Sequence, residues 1–132
     1  MTNIGIWGLG SMGLGMAQSL VKAGLPTVGH DPRGVVLDGA ADLETGDLDI
    51  AVIVVLNAAQ TESVIDAILP SLQAGAVVVA CATVSPAFAR DMASRCKARE
   101  VLYLDAPISG GAARAAQGDL SIMASGPNAA FD

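Results

Sequence analysis

Ile4-Gly5-Ile6-Trp7-Gly8-Leu9-Gly10-Ser11-Met12-Gly13 decides the fold of this chain. It reads as a short apolar strand that runs into Gly-x-Gly-x-x-Gly and then into a helix. Asp31 follows Gly10 at about the 20-residue distance that a dinucleotide fold requires. Each glycine has a physical task. Gly8 allows the tight turn out of the strand, Gly10 lets a pyrophosphate approach the backbone, and Gly13 lets the helix lie close on the sheet. The helix N-terminus, at Ser11 and Met12, then offers free N–H groups and a partial positive charge to phosphates. The strand before, the helix after and the acid at the end of the next strand supply the context that a lone glycine motif lacks.

Working outward, strands and helices alternate. The spacing predicts strands over Asn3–Trp7, Pro26–His30, Ile50–Leu56, Ala76–Cys81, Val101–Asp105 and Leu120–Ala124. A helix over Ser11–Ala23 carries Gly13, Met16, Ala17, Leu20 and Val21 on one face and is ended by Gly24. A second helix buries a stripe of Val64, Ile65, Ile68 and Leu69. A third opens at Ser85-Pro86, with Ser85 as N-cap and Pro86 at the first helical position. The segment from Arg33 to Asp49 is rich in Gly and Asp, with one short helical turn expected around Gly34 to Asp38. A short Ala-rich helix is expected after Gly111. The expectation is an α/β fold: a Rossmann-type doubly wound parallel sheet with helices on both faces. The 132 residues suffice for one domain with one buried core.

Composition narrows the partners. The net charge of −6 argues against nonspecific binding to nucleic acid or to a membrane surface, because both need Lys/Arg patches. Arg90, Arg95, Lys97 and Arg99 cluster, but Asp91 and Glu100 interrupt them, so they read as a solvated helix face and its last turn. No secretory signal is visible, and the longest apolar runs, Ile50 to Leu56 and Ala76 to Ala82, are far too short to span a bilayer. Cys81 and Cys96 form no metal or redox spacing and read as buried thiols. No metal site is expected, and a cytoplasmic location follows from the cysteine usage.

Asp31 can accept hydrogen bonds from both ribose hydroxyls of an adenosine, and its charge repels a 2′-phosphate. That favours NAD over NADP. Arg33, two residues on, complicates the choice: it can hold a 2′-phosphate or lie in solvent. His30 faces the other side of the strand and reads as structural. Leu56 and Asn57 close the third strand at the carboxyl edge, where open α/β sheets bind ligands. Asn57 with Gln60 also makes a variant capping box, and both roles are compatible. Thr83 stands at the same edge after the fourth strand. Its hydroxyl meets the nicotinamide ribose or merely satisfies a turn, and spacing does not choose between them. Ser109-Gly110-Gly111 opens a helix on this edge, a geometry for a carboxylate held by backbone N–H groups or an ordinary glycine turn. Arg114, one turn further, either helps hold an acidic substrate or faces solvent. Asp105, beside Pro107, reads as a loop anchor.

Four motifs in order carry a family resemblance: Gly8-Leu9-Gly10-Ser11-Met12-Gly13, Ala82-Thr83-Val84-Ser85-Pro86, Asp105-Ala106-Pro107-Ile108-Ser109-Gly110-Gly111, and Gly118-Asp119-Leu120-Ser121-Ile122-Met123-Ala124-Ser125-Gly126. Together they resemble the β-hydroxyacid dehydrogenases, the family of 3-hydroxyisobutyrate dehydrogenase, tartronate semialdehyde reductase and 6-phosphogluconate dehydrogenase. The resemblance implies that the first motif cradles the NAD(P) pyrophosphate, that Thr83 lies at the nicotinamide side, and that Ser109, Gly110 and Gly111 hold the substrate carboxylate. Asn57-Ala58-Ala59-Gln60 and Thr83 to Arg90 are similar to the branch that oxidises four-carbon sugar acids, the L-threonate dehydrogenases.

The resemblance also implies a departure. The family's catalytic lysine lies on a long helix after this point, leading to an all-helical domain. Lys22 and Lys97 fall outside that motif, so no catalytic residue is expected in these 132 residues. They read as an incomplete NAD(P)-binding domain, residues 1–132, cut short at its C-terminal end. The implied parent reaction is hydride transfer between NAD and a small 3-hydroxy acid in a homo-oligomer. A stand-alone dinucleotide-binding module, a non-catalytic interaction domain, and a 3-hydroxyisobutyrate dehydrogenase or tartronate semialdehyde reductase stand as alternatives.

Overall fold

A computed structural model describes residues 2–109 together with 121, 122 and 126. Five parallel strands form one sheet in the order β2-β1-β3-β4-β5: β1 (Ile4–Trp7), β2 (Thr27–His30), β3 (Ile50–Ile53), β4 (Val77–Ala80) and β5 (Leu102–Asp105). Three helices join them: α1 (Ser11–Lys22), α2 (Ala58–Ile68) and α3 (Pro86–Lys97). The chain goes from β1 to β2 on one side and then returns past β1 to lay β3 on the other. The doubly wound Rossmann-type expectation therefore holds. The point where strand order reverses, between β1 and β3, is where such sheets leave a crevice at their carboxyl ends.

Alternation along each strand sends side chains to two cores. Ile4, Ile6 and Val52 pack on one face beneath α1, with Leu9, Ala17, Leu37 and Cys81. Ala51, Ile53, Val78, Ala80 and Tyr103 pack on the other, against Ile65 and Ile68 of α2 and Met92 and Cys96 of α3. Ile6, Ile53, Ile65 and Met92 have no exposed surface; burying each such side chain contributes about 1.5–3 kcal/mol. Both cysteines are free and buried. Desolvation pushes their thiols up, to about 12 for Cys81 and about 11 for Cys96, so neither is a thiolate at neutral pH.

Local chemistry fixes the helix ends. The last turn of α1 closes in a Schellman motif, Leu25 N–H to Leu20 O at 3.1 Å and Gly24 N–H to Val21 O at 3.0 Å, with Gly24 left-handed at φ 85°. The Asn57 side chain accepts from Gln60 N–H at 2.9 Å at the start of α2. The Ser85 side chain accepts from Phe88 N–H at 3.2 Å, with Pro86 in the first turn of α3.

Three expectations need correction. No helical turn forms around Gly34 to Asp38. Gly34 and Gly39 are left-handed, at φ 76° and 79°, which breaks any helix there. A 3-10 turn forms later, over Thr45–Asp47, closed by reciprocal bonds between Glu44 and Asp47. The third strand ends at Ile53, not Leu56. Val54 N–H still bonds Trp7 O at 2.7 Å, and then the chain leaves the sheet. Finally, in the segment expected as a sixth strand the described residues form β7 (Ser121–Ile122), which pairs antiparallel with β6 (Ile108–Ser109) in a separate two-stranded sheet and not with the parallel one. The expected Ala-rich helix after Gly111 lies outside the described residues.

Candidate dinucleotide cleft

The glycine turn is built by close packing. Gly8 is left-handed at φ 101°, and a Cβ there would run into the Val54 carbonyl oxygen. A Cβ on Gly13 would run into the Gly8 carbonyl oxygen and stand 3.3 Å from Val54 Cβ. These two glycines therefore let β1, α1 and the end of β3 converge. Gly10 is different. Around it the nearest atom is a guanidinium nitrogen of Arg33, 3.6 Å from where a Cβ would stand. Gly10 is also the N-cap of α1 and brings no side-chain acceptor, and no acid lies in the first turn. The positive end of α1 faces outward past a residue with no side chain, which is an anion-binding arrangement.

Asp31 follows β2 and turns its carboxylate to this turn. Leu9 N–H donates to Asp31 Oδ2 at 2.8 Å, tying the glycine turn to the end of β2. The Leu9 side chain is buried against Gly29, so Leu9 contributes its amide and not its side chain. Arg33 N–H and Nε–H both donate to Asp31 Oδ1, at 2.8 and 2.9 Å, and Arg33 NH2 donates to Oδ2 at 2.7 Å. The Arg33 side-chain hydrogen bonds, followed by its backbone N–H, hold the Asp31 carboxyl well below its ordinary value of 3.8. Asp31 is thus a fixed anion throughout the neutral range.

A cleft of about 1050 Å³ opens here, between the carboxyl ends of β1, β2 and β3. Gly8, Gly10, Ser11, Met12, Gly13, Asp31, Arg33 and Leu56 line it, which brings together eight of the expected cofactor residues. Leu9, Asn57 and Thr83 do not line it. The Asn57 side chain is engaged as the cap of α2, while Gln60 Oε1 accepts from Leu56 N–H at 2.8 Å, so the capping reading of this pair is realised. Thr83 stands exposed after β4, at the same edge of the sheet. Ile108–Ser109 forms β6, but the side chain of Ser109 and all of Gly110, Gly111 and Arg114 lie outside the described residues.

His30, read as facing the other side of the strand, instead borders the cleft, beside Trp7 at the glycine turn. Trp7 and His30 are register partners on β1 and β2, and their rings stack with centroids 4.6 Å apart and planes at 18°. Both border the cleft. Their parallel pairing was the signal: once β1 and β2 align, the last residue of each strand meets the other. Burial lowers the pKa of His30, which keeps the ring neutral at pH 7 and suits stacking. Arg95, in the cluster read as a solvated face, is ringed by Glu62, Asp66 and Asp91 at 2.7, 3.3 and 3.1 Å, so it presents no basic patch. Asp105 ends β5 with Oδ1 buried and without a partner among the described residues, and burial raises its pKa.

The sequence profile of the NAD-binding domain of 6-phosphogluconate dehydrogenase matches residues 3–132. The chain belongs to this NAD-binding domain family. It is 43% identical to an L-threonate dehydrogenase from Cupriavidus necator over 98% of its own length and 48% of that protein's. It is 30% identical to the mitochondrial 3-hydroxyisobutyrate dehydrogenase of Homo sapiens over 95% of its own length and 41% of that protein's. Its structure superposes on 3-hydroxyisobutyrate dehydrogenase from Salmonella typhimurium with a TM-score of 0.90 at 41% identity, covering 99% of this chain and 50% of that one. The chain thus spans about half the length of the relatives it matches. The family's dinucleotide fits the cleft on this chain's own geometry. A Cβ at Gly10 would meet only the movable Arg33 guanidinium, which leaves the head of α1 accessible to a diphosphate, and Asp31, covered by the same guanidinium, borders the same cleft.

Proposed function

We propose that residues 1–132 are the nucleotide-binding part of an NAD-dependent 3-hydroxyacid dehydrogenase, acting on a small hydroxy acid of the threonate type. One observation carries the reading. The open Gly10 at the head of α1 and the ionised Asp31 at the end of β2 face one cleft at the strand-order reversal. The first arrangement suits a diphosphate and the second suits a ribose diol. The Cupriavidus relative supports the four-carbon sugar acid over other hydroxy acids, as do Asn57 to Gln60 and Thr83 to Arg90.

NAD supplies the hydride acceptor. The chain's own residues bind and orient it. The N–H groups opening α1 take the diphosphate, Asp31 takes the adenosine ribose once the Arg33 side chain swings off it, and Trp7, with His30 stacked on it, walls the cleft. Thr83 would meet the nicotinamide end, and Ser109 to Gly111 the substrate carboxylate. Fixing both reactants lowers the entropic part of the barrier. No group in the described cleft is placed for proton transfer: His30 is stacked, and Asp31 is fully bonded. The 132 residues by themselves are therefore proposed to bind NAD and to turn nothing over.

Calorimetric titration with NAD, followed by an assay for NADH from L-threonate, tests both halves. One-site binding with no NADH production is expected. Absence of any heat of binding overturns the cofactor reading, and steady NADH production overturns the catalytic silence.

A further inference from the structure

The Gln60 side chain is bonded at one end and open at the other. Its backbone N–H donates to the Asn57 cap of α2, and its side chain reaches back so that Leu56 N–H donates to Gln60 Oε1 at 2.8 Å. An N–H is accepted by the amide oxygen and never by the NH2, so this bond fixes which way the carboxamide points. The NH2 group is left with two donors that have no partner among the described residues. Gln60 lines the cleft, and so does Ser63, one turn further along the same face of α2. Pro32, Gly34 and Val35, in the turn after β2, line the same cleft. Because β1 lies between β2 and β3, this turn and α2 approach the cleft from opposite sides of β1. A purine whose ribose sits on Asp31, and which spans from there to α2, presents to α2 the edge farthest from its sugar. That edge carries ring atom N1 and the substituent on C6.

We propose that Gln60 selects the base of the dinucleotide, its NH2 group donating to N1 of a 6-aminopurine. The inference rests on the cofactor reading above. Adenine has a lone pair at N1 and accepts this bond. A 6-oxopurine such as hypoxanthine carries a hydrogen there, so two donors meet and the bond is lost. The Ser63 hydroxyl accepts from an amino group or donates to a carbonyl, so it tolerates either base. Discrimination therefore falls to Gln60, whose carboxamide cannot turn over without leaving Leu56 N–H facing a donor.

The test is calorimetric titration of the chain and of Gln60→Glu with NAD and with its deaminated analogue, nicotinamide hypoxanthine dinucleotide. The parent chain is expected to bind NAD about tenfold more tightly than the analogue. Gln60→Glu keeps an oxygen for Leu56 N–H and replaces the NH2 by a second acceptor, which takes the N1–H of the analogue. Its preference for NAD is expected to vanish or reverse. Repulsion between the new charge and the diphosphate acts on both dinucleotides alike, so the ratio of the two affinities is the readout. A role for Gln60 in capping alone leaves that ratio unchanged. Equal binding of the two dinucleotides by the parent chain overturns the proposal, as does a preference for NAD that persists undiminished in Gln60→Glu. If the parent chain binds neither dinucleotide, the cofactor reading itself fails, a result distinct from binding without discrimination.

Discussion

At the residue scale, the glycine turn is a set of contacts that leave no room for a methyl group. Gly13→Ala places a Cβ on the Gly8 carbonyl oxygen, so urea denaturation should show a loss of about 1–3 kcal/mol. Nucleotide binding should fall with it, because the first turn of α1 must move. Tyr103 makes the opposite case. Its hydroxyl is buried without a hydrogen-bond partner among the described residues, and Tyr103→Phe should stabilise the chain by about 1 kcal/mol in the same measurement. The Asp31–Arg33 pair carries a pH signature. Its carboxyl sits well below the ordinary 3.8, so the pair's stabilisation is complete above that value and is lost only as pH falls toward the folded value. Thermal melts should show a constant contribution from this pair between pH 8 and 5, at about constant ionic strength, and a loss below about pH 4. The same melts on Arg33→Ala should lack that acid-side component. The motif showed which glycines pack and which one opens. It did not show the saturation of Asp31, because that depends on where a guanidinium folds, although Asp-Pro-Arg-Gly, read as a turn, points toward it.

At the element scale, caps and turns that follow local rules were the most legible. Ser85-Pro86 opens α3, and Gly24 closes α1 by the residue types that those positions demand. Asn57→Ala removes the side-chain acceptor for Gln60 N–H, and chemical denaturation should register about 1 kcal/mol of lost stability. Strand ends were less legible. Val54 to Leu56 continue an apolar run, but β1 turns away at the left-handed Gly8, so beyond the Val54 N–H to Trp7 O bond they have no β1 residue to pair with. Leu56 ends 86% exposed at the cleft's lip. The 3-10 turn at Thr45–Asp47 escaped notice because its Glu44–Asp47 box pairs two acids instead of the usual hydroxyl and acid. The pairing of Ile108–Ser109 with Ser121–Ile122 was invisible to periodicity, since two-residue strands carry no alternation to count.

At the scale of the whole molecule, the strand order β2-β1-β3-β4-β5 turns local motifs into a site. It brings the end of β1, the end of β2 and the chain leaving β3 to one opening, with α1 aimed into it. The sequence foretold the alternation and eight of the residues that line the cleft. The reversal of strand order is a long-range property, inferred from the family of folds and visible only in the register of paired strands. The account stands on an adenine dinucleotide lying across that opening. A crystal structure of the chain with NAD tests this most directly. The account predicts diphosphate oxygens on the backbone N–H groups at the start of α1, beside Gly10, and ribose hydroxyls on Asp31. A nucleotide bound elsewhere, or a diphosphate that makes no contact with that helix end, would contradict it.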